Sequence, residues 1–317
     1  MHVEAAGLCC IQDLGRHGQQ HLGIGVSGAM DCFAAQVANS LLGNDDNAAV
    51  LEITLSGARF NIQKTQWFSI TGADLDAEID GLPVPLCAPV VIKAGSLLRF
   101  KQAKRGCRAY LAVSGGFIVE PVFGSRSTDA RSVLGGYHGR WLQRGDTLDY
   151  GVDMAHAERA IAWHTSWAHP AFIDQDPLPF IPGEAWPHLT REQQTEWTDQ
   201  YWTISKNSDR MGIRLTEALH LTQSLPTRFS SAVAFGSIQL PPDGHPIILA
   251  ADRQTTGGYP VIGTLSSLAY SRLAQAKPGD TLQFAAIDLQ DAQQRYRLQQ
   301  QTFREWQTHM RQLWQNS

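Results

Sequence analysis

The chain has 317 residues, of which 43% are hydrophobic and 18% charged, with a formal net charge of −4. That length suits two domains, each able to bury its own core, and the mild negative balance argues against nucleic acid or an anionic membrane as the main partner. No apolar run approaches the roughly 20 residues of a membrane span, and the five cysteines, Cys9, Cys10, Cys32, Cys87 and Cys107, show no Cys-x-x-Cys spacing that would signal a zinc knuckle or a disulfide framework.

No basic region followed by an apolar core opens the chain, so no signal peptide is expected. A cytoplasmic protein with reduced thiols is the simplest expectation. Ile11-Gln12-Asp13-Leu14-Gly15-Arg16-His17-Gly18 alternates glycines and charges too densely for a regular element and reads as a loop after a short strand. Asp13 and Arg16 are there either as a structural pair or as site residues. His17 and His21 are four apart, but Gly18 between them argues against a helical metal pair. A helix is expected from about Asp31 to Leu42. Asp31 suits the positive end of its dipole, Ala34, Val37, Ala38, Leu41 and Leu42 form one apolar face, and Gly43 and Asn44 stop it.

Residues 50–100 are strand-rich. Leu51 to Leu55 alternate, Phe60 to Ile62 and Trp67 to Ile70 follow, and Asp80-Gly81 signals a hairpin. Three six-residue stretches resemble one another: those opening at Gly95, Gly145 and Gly279. Each is a glycine-led turn into a strand carrying Leu and an aromatic two apart, hence on one face. Gly124-Ser125-Arg126-Ser127-Thr128-Asp129 reads either as an anion cradle or as a solvated turn; it is not a P-loop. Between Ala155 and Pro187 the composition shifts, with a short helical piece holding Ile161 and Trp163 and prolines at 170, 177, 179, 182 and 187. Here lies the expected boundary, giving residues 1–165, 166–286 and a tail, 287–317. Thr190 is expected to cap a short helix, with Gln193 completing a capping box.

The polar groups concentrate in the second half. Trp202 to Ser205 form a strand that runs into Ser208-Asp209-Arg210-Met211-Gly212. From Phe235 to Leu265 the pattern is strand, turn, strand, polar cluster, turn, strand. Pro241-Pro242-Asp243-Gly244 is the first turn, and Ile247 to Ala251 reads as a buried strand. Asp252, Arg253, Gln254, Thr255 and Thr256 then follow with no apolar residue among them. Polar groups at the end of a buried strand must be satisfied by one another or by a ligand, and a guanidinium fork suits a carboxylate or phosphate. The two Asp-Arg pairs either face one cleft or close rim salt bridges. Beyond them, Leu289, Ala292, Tyr296, Phe303, Trp306, Met310 and Leu313 keep helical steps, predicting a helix of roughly 40 Å from about Asp288 with its stripe against this chain or another.

Taken together, Ile11-Gln12-Asp13-x-Gly15-Arg16, Ser27-Gly28-Ala29-Met30-Asp31, Gly124-Ser125-x-Ser127-Thr128-Asp129, Ser208-Asp209-Arg210-Met211-Gly212-x-Arg214-Leu215 and the 235–265 stretch resemble the KipA-type family. That family is also labelled biotin-dependent carboxyltransferase family, or the C-type subunit of 5-oxoprolinase. The resemblance covers nearly the whole chain. It implies a mainly β protein with a few helices and two subdomains, the second a cyclophilin-like β-barrel. It also implies a KipI-type partner and a lactam-hydrolase-type subunit, which together open 5-oxoproline to glutamate with ATP hydrolysis. The alternatives are a regulatory protein that binds a KipI-type kinase inhibitor, and a carboxyltransferase component of a biotin-dependent urea or amide carboxylase. No biotinyl-lysine context occurs, so biotin is not expected on this chain. In the favoured reading Arg253 and Arg210 clamp an anion and Asp252 or Asp209 is the orienting carboxylate. Gln254, Thr255, Thr256, Tyr259, Gln239, Asp13, Arg16, Ser125 and Ser127 are expected around the substrate, with no metal.

Overall fold

A computed structural model describes the chain except residues 56, 152–163, 168–176, 224, 227, 228, 316 and 317. The helical piece expected at Ile161 and Trp163, and Pro170, lie outside the described residues. The protein is mainly β, and it divides into two compact units. Unit 1 holds residues 1–17, 27–173 and 304–317, and unit 2 holds 18–26 and 174–303.

Unit 1 is built on two five-stranded sheets. One runs in the order His2–Ala5, Arg59–Asn61, Leu97–Phe100, Ala77–Ile79, Leu82–Pro83; the other runs Leu8–Gln12, Val50–Thr54, Arg105–Val113, Gln66–Asp74, Pro89–Ile92. All their pairings are antiparallel. Phe60, Leu98 and Phe100 of the first sheet share one core with Ile11, Leu51, Phe68, Ile70 and Leu111 of the second. The hairpin at Asp80-Gly81 forms as expected, with φ of 52° and 87° that match the twist of the strands it joins. The other face of the second sheet packs under helix α1, Cys32–Leu41. Asp31 caps α1 by accepting from the Ala34 N–H at 3.0 Å. Two strand hydroxyls, Ser69 and Thr71, donate to the carbonyls of Ala38 and Ala34 at 2.7 Å each. That ties sheet to helix where small alanines allow close approach.

Unit 2 contains a six-stranded sheet in the order Gly212–Arg214, Ile247–Leu249, Ser237–Gln239, Val261–Leu265, Leu178–Pro182, Phe284–Ala286. Only the last pair is parallel. Helix α2, Arg191–Asp199, begins with both reciprocal bonds of the Thr190–Gln193 capping box and buries Trp197 in an aromatic core. The Trp197 ring stacks on Phe284 at 4.5 Å and lies 4.7 Å from Trp202. Two short pairings complete the unit: Trp202–Thr203 with Thr281–Leu282, and Ser231–Ala232 with Thr256–Gly257. A short helix α3, Tyr270–Gln275, precedes the strand pair at the end of the unit. The three glycine-led turns hold: Gly95, Gly145 and Gly279 have φ near 90°, and Leu98/Phe100, Leu148/Tyr150 and Leu282/Phe284 are all buried.

The last helix, α4, spans Leu289–Gln315 and contributes to both units. Its stripe departs from the expectation. Ala292, Phe303 and Met310 are buried, whereas Leu289 and Tyr296 are exposed. In unit 1 polar groups hold the helix beside its apolar contacts, Trp314 packing on Trp67. Gln307 donates to Ser40 Oγ and Asp46 Oδ1 at 3.0 and 2.9 Å, Arg311 pairs with Asp46, and the Trp314 indole donates to the Leu41 carbonyl. No helix among the described residues is long and apolar enough to cross a membrane.

Candidate functional site

In unit 2 the chain leaves the buried strand Ile247–Leu249 through Ala250 and Ala251, both buried, and turns at Asp252. The turn is fastened to the 209–212 loop. Ala250 N–H donates to the Met211 carbonyl at 3.0 Å and Asp252 N–H to the Arg210 carbonyl at 2.7 Å. Arg210 closes the arrangement by gripping both carboxylate oxygens of Asp252, at 2.8 and 3.0 Å. Arg210 and Asp252 are only 7% and 13% exposed, so each neutralises the other in poor solvent contact. The sequence offered two Asp-Arg pairs; the structure makes one ion pair across them. Arg210, expected as an anion clamp, and Asp252, expected as an orienting carboxylate, are thus hydrogen-bonded to each other. Asp209 is used locally: its Oδ1 accepts from the N–H groups of Met211 and Gly212 at 2.8 and 3.1 Å, the Asx-turn bond that shapes the loop.

Arg253, next along, is different. Its Nε and one terminal nitrogen donate to the carbonyls of Val233 and Ala250 at 3.4 and 3.2 Å. Among the described residues no carboxylate lies within ion-pair distance of it. Burial pulls its pKa down, against an upward pull from Tyr270 and Asp252. A guanidinium does not give up its proton at neutral pH, so that direction means a cation held where negative charge would stabilise it. Gln254, Thr256 and Tyr259 are exposed and Thr255 half-buried. None of their side chains hydrogen-bonds to a described residue. Gln239, on the strand beneath, is 2% exposed, and its Nε2 has no hydrogen-bond partner among the described residues. A Cβ added at Gly257 would overlap that nitrogen and stand 3.2 Å from Val233 Cγ1, so Gln239, Gly257 and Val233 meet at one point. Since the Val233 carbonyl also takes the Arg253 bond, the Gln239 amide and the Arg253 guanidinium share this neighbour. Tyr270, which the sequence did not single out, closes that side, its hydroxyl on the Phe235 carbonyl at 3.1 Å.

The four residues expected in unit 1 come together, but around one another. The Asp13 carboxylate accepts from the Ser125 and Ser127 hydroxyls and from the N–H groups of Gly15 and Arg126. The Arg16 guanidinium donates to the carbonyls of Val122 and Ser127 at 3.0 and 2.8 Å. These bonds knit residues 13–16 to residues 122–127, so this geometry supports a structural junction. A second buried network was not legible. Glu52 Oε2 accepts from the Tyr110 hydroxyl at 2.9 Å and from the Met30 N–H at 2.8 Å, and Tyr110 in turn accepts from the Asp31 N–H. Burial raises the Tyr110 pKa far above its usual value, and the charge of Glu52 adds to it. Glu52 looked like the wet side of an alternating strand, yet all five residues of Val50–Thr54 are buried. Among the described residues no group of three His, Cys, Asp or Glu side chains could hold a metal ion.

Mainly antiparallel sheets in two units, with the motif loops at 13–16, 124–129, 208–215 and 252–260, define a carboxyltransferase-type protein. The chain belongs to the family of the carboxyltransferase domain, subdomains A and B, whose pattern matches residues 22–286. It is 40% identical over 284 residues to the C subunit of 5-oxoprolinase from Haemophilus influenzae, covering 89% of each chain. It is 34% identical over 314 residues to the C subunit of 5-oxoprolinase from Escherichia coli, covering 97% of this chain and 98% of that one. The crystal structure of the K. lactis urea amidolyase matches with a TM-score of 0.79 at 26% identity, over 92% of this chain and 19% of that much longer one.

Proposed function

We infer that this chain is the C-type subunit of a 5-oxoprolinase complex, which opens the lactam of 5-oxoproline to glutamate at the expense of ATP. The sequence likeness to two such subunits over most of their length supports the reading. The observation that carries it in this structure is Arg253, half-buried and without a carboxylate partner among the described residues, beside exposed hydroxyl and amide groups. A lactam carbonyl is a poor electrophile, and ATP supplies the driving force for its opening. What this chain contributes is binding and orientation: Arg253 takes the carboxylate of 5-oxoproline, and Gln254, Thr255 and Thr256 line its approach. The Arg210–Asp252 pair holds the turn that presents them. A single guanidinium among neutral groups matches one carboxylate better than the several charges of a nucleoside triphosphate. ATP is therefore assigned to a partner, a KipI-type or a lactam-hydrolase-type subunit. Any biotin in a related reaction would be carried by another chain.

The test is reconstitution of the three subunits with 5-oxoproline and ATP, measuring glutamate and ADP. The chain alone is expected to be inactive and the mixture active, with Arg253→Ala reducing turnover at least tenfold. Full activity of that variant would remove Arg253 from the site. The likeness to urea amidolyase favours a second reading, a carboxyltransferase component acting on a urea-like amide; ATP-independent transfer from carboxybiotin to urea would support it.

A further inference from the structure

We propose that Gln239 is a recognition group for the amide edge of a small substrate, a carbonyl oxygen and an N–H side by side on one face, as in a lactam ring. The proposal rests on the lactam reading above for its particular substrate. Three observations carry it. The Gln239 side chain is 2% exposed, and its Nε2 has no hydrogen-bond partner among the described residues. Leaving a buried amide unpaired costs about 1–3 kcal/mol, and unpaired buried groups concentrate where a ligand completes them. Secondly, a carboxamide is complementary to a cis-amide, its nitrogen donating to the carbonyl and its oxygen accepting from the N–H in a two-point pair. A simple carboxylate or ether offers only half of that. Thirdly, Val233 neighbours both groups: its Cγ1 and the Gln239 amide both crowd a Cβ built at Gly257, and its carbonyl accepts from Arg253 at 3.4 Å, so an amide reader and an anion reader share one neighbour.

Access follows from the local pairing. Gln239 Nε2 lies beneath Gly257, whose strand pairs through Thr256–Gly257 with Ser231–Ala232 and is extended by the Val233 N–H bond to the Thr255 carbonyl at 3.2 Å. With Gln239 2% exposed, binding at its amide requires that ribbon to move. Gly257 keeps the amide in place because it has no side chain. Its φ lies outside the left-handed region, so alanine is conformationally allowed there, but the added methyl would displace the Gln239 amide.

The assembled complex is titrated with three probes: 5-oxoproline, 2-pyrrolidinone (the amide without the carboxylate) and tetrahydrofuran-2-carboxylate (the carboxylate without the amide). Gln239→Leu and Gly257→Ala should each weaken the first two by roughly 10- to 100-fold and leave the third within about twofold. Arg253→Ala should weaken the first and third instead. Equal weakening of all three probes by Gln239→Leu and Gly257→Ala, no change in any, or no binding of the amides by the unsubstituted protein would overturn the assignment. If the expected binding pattern appears but 5-oxoproline is not turned over with ATP, the oxoprolinase reading fails and the role of Gln239 stands.

Discussion

Arg210 and Asp252, 42 residues apart in the chain, grip one another through two hydrogen bonds in a setting almost closed to water. Each was a candidate for direct chemistry; as a pair they fasten the turn before Arg253 to the 209–212 loop.

Removing one partner of that clasp strands a charge. Asp252→Ala is expected to cost about 3–5 kcal/mol in urea denaturation, and Arg210→Lys to recover little of the geometry, because an ammonium cannot fork. The double Arg210→Leu/Asp252→Leu variant should lose less stability than Asp252→Ala alone. A double-variant loss equal to the sum of the two single losses would contradict a mutual pairing.

Arg253 should behave in the opposite way. A cation pushed down in pKa by burial gains little from its protein surroundings. Arg253→Met is therefore expected to hold stability to within about 1 kcal/mol while turnover collapses. A large stability loss would show the residue to be structural.

Asp13→Asn tests the junction in unit 1. A carboxylate with four donors becomes an amide that can accept from only part of them and points two donors of its own at hydroxyls and N–H groups. A loss of about 3 kcal/mol is expected, with the Michaelis constant of the folded complex unchanged. A raised Michaelis constant without destabilisation would return Asp13 to the substrate site.

The thiols should separate by environment. Burial pushes Cys87 up to about 12 and Cys9 well above the ordinary thiol range, so both stay protonated through neutral pH. Cys32 is exposed at the start of α1. Iodoacetamide at pH 8 followed by peptide mass spectrometry should label Cys32 first, with Cys9 and Cys87 modified only on denaturation.

Asp146 supplies a pH signature. Its bidentate hydrogen bonds with Arg140 lower its pKa below the usual carboxylate value. A depressed folded pKa adds stability above the unfolded value, which is lost as pH falls through the folded one. Asp146→Asn should therefore lower stability at pH 7 and flatten its decline in acid, as followed by thermal melts between pH 2 and 7.

What could be read from residues alone was local. The Asp31 cap, the Thr190–Gln193 box, the Asp80-Gly81 hairpin and the three glycine-led strands each depend on residues within about six positions, where backbone sterics and short-range hydrogen bonds decide. The loops rich in unsatisfied groups were also legible, because five consecutive polar side chains after a buried strand demand partners. The partners themselves were not. Ser125 and Ser127 reach Asp13 across 112 and 114 positions, and Tyr110 reaches Glu52 across 58. In α4 the helical period was right, yet Gln307 went inward and Leu289 and Tyr296 outward. Periodicity assigns residues to a face, but only the packed neighbour determines which part of that face is covered.

By itself the amino-acid order determined the family and the β-rich architecture, and it marked the stretch proposed for a ligand. The tertiary structure alone decided which charge in that stretch is spent and which is left over: it set Asp252 against Arg210, gave Arg253 only backbone carbonyls, and left the Gln239 Nε2 without a partner among the described residues. The reason is that hydrogen-bond partners in a folded chain are chosen by proximity in space, and strands distant in sequence become neighbours only when the sheet closes.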